Sequence, residues 1–137
     1  MRALSFVWIW LIWPGMAASS ESRQPLLDAY FSVFETKAAD PLPLAEDATF
    51  FGSLLSEPIV GRDEVVAFLN RVAPSVQLKE VKQSFESDEG ACAELVFLVQ
   101  ADDLAMEEAH CLKIRDGEIQ SIRLYYDPRP LLEDSGN

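Results

Sequence analysis

The chain has 137 residues, with 11 Lys+Arg against 23 Asp+Glu and a formal charge of −12. That length suits one compact domain with a modest core. So acidic a surface repels nucleic acid and anionic lipid headgroups and offers no basic groove for a phosphate backbone.

Residues 1–18 read as a secretory signal rather than as fold. Arg2 gives a positive start, Ala3 to Trp13 form an apolar run broken only by Ser5, and Pro14-Gly15 stop any helix. Gly15-Met16-Ala17 and Met16-Ala17-Ala18 end in the small residue that a signal peptidase requires. Eleven residues at about 1.5 Å each fall short of a hydrocarbon core of about 30 Å, so an uncleaved span is disfavoured. The expected product is exported, periplasmic or secreted, and free of the membrane after cleavage. Cleavage removes Arg2 and leaves 10 Lys+Arg against 23 Asp+Glu, a balance of −13.

Residues 19–24 read as a flexible leader, 25–132 as the folded domain and 133–137 as a disordered tail. Pro25 suits a first helical turn, and Leu27, Tyr30, Phe31, Phe34 and Ala38 recur at helical spacing to make one apolar face. Asp40-Pro41-Leu42-Pro43 ends that helix. Ala48 to Leu55 reads as a first strand. Gly61-Arg62-Asp63-Glu64 opens a second amphipathic helix, lined by Val65, Phe68, Leu69 and Val72 and closed by Ala73-Pro74. Strands follow at roughly 76–86, 91–100, 105–115 and 118–126. The last two flank Asp116-Gly117, a dipeptide that accepts the positive φ angles of a tight hairpin. Helices first and antiparallel hairpins afterwards predict an α+β fold.

Ser56-Glu57-Pro58-Ile59-Val60-Gly61 leading into the second helix, and the Asp116-Gly117 hairpin ending in Tyr125-Tyr126-Asp127-Pro128, resemble the SnoaL-like domains. These are a branch of the nuclear transport factor 2-like superfamily that includes ketosteroid isomerase. The resemblance covers about Leu26 to Leu132. It implies a cone in which a curved antiparallel sheet wraps the N-terminal helices around a central pocket. It does not imply a reaction, because the scaffold hosts isomerases, cyclases, hydrolases and binding modules. The isomerase-like aspartate base falls at Gly52 and the second aspartate at Ala109; only the helix tyrosine has a counterpart, Tyr30. Without a base, isomerisation is not expected. An Asp-Arg-Asp triad of the epoxide-hydrolase kind is not assignable either, since Arg123 falls on the wrong face.

A gapless alignment of the last hairpin places Ala109, Cys111, Ile122, Leu124 and Tyr126 on the pocket face. An even-length turn near residue 102 adds Cys92, Glu94, Val96 and Leu98. The expected pocket lining is then Tyr30, Phe34, Glu94, Val96, Ala109, Cys111, Ile122, Leu124 and Tyr126. Glu94 and Tyr30 are the candidate catalytic groups. His110 is expected on the opposite face, among Leu95, Phe97, Val99 and Leu112, as a structural or interface residue. Those apolar side chains, with Tyr125, would need cover, and an isologous homodimer is the expected cover, with Leu131 and Leu132 of the chain's own tail as the alternative.

If the 91–115 hairpin turns on Ala101-Asp102, Cys92 faces Cys111 and a disulfide is expected; if it turns on Asp102-Asp103, Cys111 faces Glu94 instead. No Gly-rich phosphate loop, nucleophile elbow, CxxC or metal spacing occurs, so neither cofactor nor metal is expected. Two functions remain. One is an exported module binding a small apolar molecule or a protein partner. The other is a small-molecule enzyme of the polyketide-cyclase or epoxide-hydrolase type with Glu94 as general acid/base.

Overall fold

The computed structural model describes residues 22–133. The secretory signal expected at 1–18 and the tail expected beyond Glu133 lie outside the described residues.

Helix α1 (Gln24–Thr36) carries Pro25 in its first turn and buries Leu27, Tyr30, Phe31, Val33 and Phe34. It ends at Lys37, whose φ of 62° turns the chain away. The Lys37 ammonium donates to the Ala73 and Val76 carbonyls at 3.0 and 2.9 Å, tying this end of α1 to the chain beyond the second helix. Strand β1 (Leu44–Phe51) starts earlier than the 48–55 segment expected from sequence. Leu44 and Ala45 are buried, and Leu44 pairs with Ile119 ahead of the exposed Glu46-Asp47 step.

The short strand β2 (Ile59–Val60) leads through Gly61, at φ 104°, into α2 (Arg62–Val72). A 3-10 turn at Ala73–Ser75 precedes β3 (Val76–Glu86), β4 (Gly90–Val99), β5 (Leu104–Arg115) and β6 (Glu118–Tyr125). Helix α3 (Arg129–Glu133) follows, so Glu133 is helical rather than part of a tail. At the other end Gln24 already belongs to α1, and Ser22 and Arg23 both hydrogen-bond the Glu86 carboxylate.

The six strands form one sheet in the order β2-β1-β6-β5-β4-β3. Every junction is antiparallel except β1 beside β6. The helices α1 and α2 pack on one face, so this face holds the core. Phe34 meets Phe97 edge-on at 4.7 Å and Phe50 meets Phe68 at 4.8 Å.

One residue sets the phase of the sheet. Arg115 pairs with Glu118 and Ile114 with Ile119, but Lys113 pairs with Ser121, leaving Gln120 as an extra residue in β6. A bulge of this kind shifts every side chain beyond it to the other face. Ile119 and Ile122, three apart, are therefore both fully buried. A gapless hairpin would set Ala109 opposite Leu124 and Cys111 opposite Ile122. With the bulge, His110 faces Leu124 and Leu112 faces Ile122, while Ala109 and Cys111 meet Tyr125 and Arg123.

The expected inward set from β4 and β5 is thus inverted. Glu94, Val96, Ala109 and Cys111 lie on the outer face, and Leu95, Phe97, His110 and Leu112 lie in the core. Of the apolar residues expected to need a dimer as cover, Leu95, Phe97 and Leu112 are buried within the one chain and Val99 lines the cavity. Only Tyr125 of that group is exposed. The relative phase of β4 and β5 follows the Ala101-Asp102 turn: Val99 pairs with Leu104 and Cys92 directly with Cys111. The two cysteines are disulfide-bonded, with Cα atoms 4.0 Å apart.

Candidate functional site

Between α1, α2 and the inner face of the sheet lies a cavity of about 350 Å³, within the range of small-molecule sites. Phe34 and Tyr30 of α1, Phe68 of α2 and Phe50 of β1 form its aromatic walls. Strand β5 supplies alternate residues Met106, Glu108 and His110, and Leu124 of β6 and Tyr126 just after it also line the cavity. Leu54, Leu55 and Leu131 reach it from the β1–β2 loop and α3. Ser53 donates to the Tyr126 carbonyl at 3.2 Å, fastening that loop beside Tyr126.

The walls are mostly apolar, and a linked set of polar side chains meets at one place. The Tyr30 hydroxyl lies 2.9 Å from His110 Nδ1, and His110 Nε2 lies 2.7 Å from Glu108 Oε2. The Tyr30 and His110 side chains are almost wholly enclosed, and Glu108 keeps a 10% exposed side chain. Phe97 stacks on the imidazole at a centroid distance of 5.3 Å and fixes its plane. Burial, and then the Glu108 charge, raise the Tyr30 hydroxyl well above the ordinary tyrosine value. It therefore stays protonated and must donate.

With Tyr30 donating, Nδ1 of His110 accepts, which puts the ring hydrogen on Nε2, facing Glu108. The chain Tyr30→His110→Glu108 satisfies each donor, and Glu108 itself lines the cavity. Tyr126 stands near the same carboxylate. Its hydroxyl is raised by burial, eased by a hydrogen bond from the Leu54 backbone, and raised again by the Glu108 charge. A preorganised carboxylate in a greasy cavity can accept a hydrogen bond, pair with a cation or take a proton.

Tyr30, Phe34, Leu124 and Tyr126 line the cavity. Ile122 does not; it is fully buried in the core beside it. Glu94 is exposed on the outer face, where Gln83 Nε2 donates to it at 2.6 Å, and Val96, Ala109 and Cys111 share that face. Glu108 and His110 are the residues sequence reasoning missed. The signal was present in β5 itself: Lys113 and Arg115 share the phase of Cys111, whereas Leu112 and Ile114 share the phase of His110 and Glu108. Among the described residues no group of three His, Cys, Asp or Glu is placed to hold a metal ion, and no helix is long and apolar enough to cross a membrane.

No family model and no curated protein matches the sequence. Solved structures do match its shape. An NTF2-like protein of unknown function from Cytophaga hutchinsonii superposes with TM-score 0.68 at 19% identity, over 84% of this chain and 98% of that one. This is the NTF2-like, ketosteroid isomerase-like fold. A protein of that fold from Catenulispora acidiphila, solved with trimethylamine, gives TM-score 0.69 at 18% identity over 84% and 95% of the two chains. A candidate polyketide cyclase from Xanthomonas campestris pv. campestris gives 0.65 at 21% identity over 81% and 94%. Within this NTF2-like cone, Gly52 lies at the cavity wall with no carboxylate, and Ala109 faces outward. The inward carboxylate of β5 is one residue earlier, at Glu108.

Proposed function

We propose that this NTF2-like protein takes a small, mostly apolar molecule into the cavity and holds its polar end at Glu108. The observation that carries this is a carboxylate, the one such group among the described residues lining an aromatic cavity, oriented from behind by His110 and Tyr30. Apolar burial supplies affinity at about 25 cal/mol per Å², and the carboxylate selects the ligand's orientation. The solved neighbour with trimethylamine bound supports a small-molecule occupant for a cavity of this fold. The test is fluorescence titration with a neutral naphthalene probe against wild type and Leu124→Asp. Saturable wild-type binding that the variant loses supports the cavity, since an unpaired carboxylate in that wall is costly. Binding indifferent to Leu124→Asp contradicts it.

A second reading has a specific observation behind it. The same hydrogen-bond chain would let Glu108 act as general acid/base, in the role the sequence suggested for Glu94. The Xanthomonas campestris neighbour named as a candidate polyketide cyclase fits that chemistry. For any substrate found, Glu108→Gln should then lower turnover by about 10²–10⁴-fold, and Glu94→Gln should not.

We further propose export, supported by the sequence of residues 1–18 and by the Cys92–Cys111 disulfide, a bond suited to oxidising compartments. A mature protein retaining Trp8, Trp10 and Trp13 by intact mass would contradict it. The homodimer is retained as a proposal on the outer face, where Phe85 and Tyr125 are exposed. Light scattering that gives a monomer at micromolar concentration would count against it.

A further inference from the structure

We infer that the cavity is selective for a cation, namely a small hydrophobic amine whose ammonium group pairs with Glu108 while its hydrocarbon part packs among the aromatic rings. This rests on the cavity being a binding site. It adds the charge of the occupant.

The charge follows from counting protons. The Tyr30 hydroxyl is fully buried, and its hydrogen-bond partner among the described residues is His110 Nδ1. If both imidazole nitrogens carried hydrogen, Nδ1–H would donate to Tyr30 and the Tyr30 O–H would be left buried without an acceptor, a costly arrangement. With Tyr30 as donor, Nδ1 accepts, the imidazole is neutral, and its one N–H goes to Glu108. The buttress behind the carboxylate therefore supplies hydrogen bonds and no compensating charge.

Among the described residues no lysine or arginine lines the cavity. The remaining ionisable groups on its wall are Tyr30 and Tyr126, both pushed toward the neutral form by burial. One unneutralised negative charge thus faces a space walled by rings. Aromatic faces carry a negative quadrupole and favour an ammonium group over a neutral or anionic one. Tyr30, Phe34, Phe50, Phe68, Phe97 and Tyr126 all contribute to the wall. Burying a carboxylate is costly when it is unpaired and favourable when a cation meets it in good geometry. A ligand carboxylate would face repulsion with nothing to offset it. The overall charge of −12 adds long-range attraction for cations, which salt screens; a contact inside the cavity is screened much less.

The experiment compares three matched probes by calorimetry at neutral pH and moderate salt: 2-phenylethylamine, 2-phenylethanol and phenylacetate. We expect the amine to bind about tenfold tighter than the alcohol, and phenylacetate to show no binding. In Glu108→Gln the amine should lose its advantage over the alcohol; in Glu94→Gln the preference should survive. Alcohol binding equal to or tighter than the amine overturns the cation inference while leaving the cavity reading intact. So does an amine preference that persists in folded Glu108→Gln. Absence of binding by all three probes removes both. Should Glu108→Gln fail to fold, the wild-type amine-to-alcohol ratio decides the matter, and a ratio that collapses with added salt counts against the cavity contact.

Discussion

His110 Nε2 lies 2.7 Å from Glu108 Oε2, between two side chains on the same face of one strand. Residues two apart on a strand point the same way, so this contact needs no loop and no second element to hold it. Tyr30, arriving from α1, completes it from behind. The arrangement converts a strand and a helix into a rigid mount for one carboxylate.

The Tyr30 link should be visible in alkaline stability. Burial raises the Tyr30 hydroxyl well above its ordinary value of 10.0, so the folded state holds that proton more tightly than the unfolded chain. For a raised group the contribution is complete below the unfolded value and is lost as pH climbs toward the folded one. We predict a urea midpoint that falls above about pH 10 in wild type and falls less steeply in Tyr30→Phe. At neutral pH the variant should cost about 1–3 kcal/mol, for a buried Nδ1 left without its donor. An alkaline limb of unchanged slope in Tyr30→Phe would contradict the link.

The bulge can be tested by removing it. Deleting Gln120 lets the hairpin pair without a gap, and either Ile119 or the Ile122–Leu124 set must then turn outward. Exposing one fully buried isoleucine costs about 1.5–3 kcal/mol, and we predict at least that loss in chemical denaturation. Retained stability together with retained probe binding would mean that Gln120 does not set the phase.

Those two residues also show how far the sequence could be read. The elements α1, α2 and β3 to β6 were legible because each carries its own periodicity and its own stop signal, such as Pro74 or Asp116-Gly117. The α+β cone followed from their order and from the resemblance. The inner face was not legible from the last hairpin alone, because a tight turn fixes register only up to the first bulge. Gln120 announces itself weakly, through two isoleucines three apart, an odd spacing that no regular strand can bury on one side. The phase of Lys113 and Arg115 carried the same information. Strand β2 has two residues and α3 has five, too short to show a period.

The disulfide offers an independent check on that phase. Cys92 and Cys111 bridge on the outer face, away from the cavity. Replacing both by serine should cost about 3 kcal/mol in the chain-entropy model, for a bridge spanning 19 positions. Probe affinity should stay within about twofold, because a small change on the outer face leaves distant contacts additive. Loss of binding with retained fold would place the cysteines at the cavity after all.

Gly90 is a position where the backbone itself leaves no room. A Cβ there would fall 1.9 Å from the Leu112 carbonyl oxygen, where β4 meets β5. Main chain cannot swing aside as a flexible side chain can. We predict that Gly90→Ala lowers the thermal midpoint, at a cost of about 1–3 kcal/mol. A midpoint equal to wild type would show that the two strands separate there more easily than their pairing implies.

The most direct test of the account is the protonation of His110, the only histidine in the chain and therefore unambiguous in a ¹⁵N spectrum. Long-range ¹H–¹⁵N correlation on labelled protein at pH 7.5 should give a neutral imidazole with hydrogen on Nε2 and a bare Nδ1, the tautomer that Tyr30 donation requires. That result leaves Glu108 as an uncompensated carboxylate on the cavity wall. Hydrogen on Nδ1, alone or together with Nε2, would contradict it.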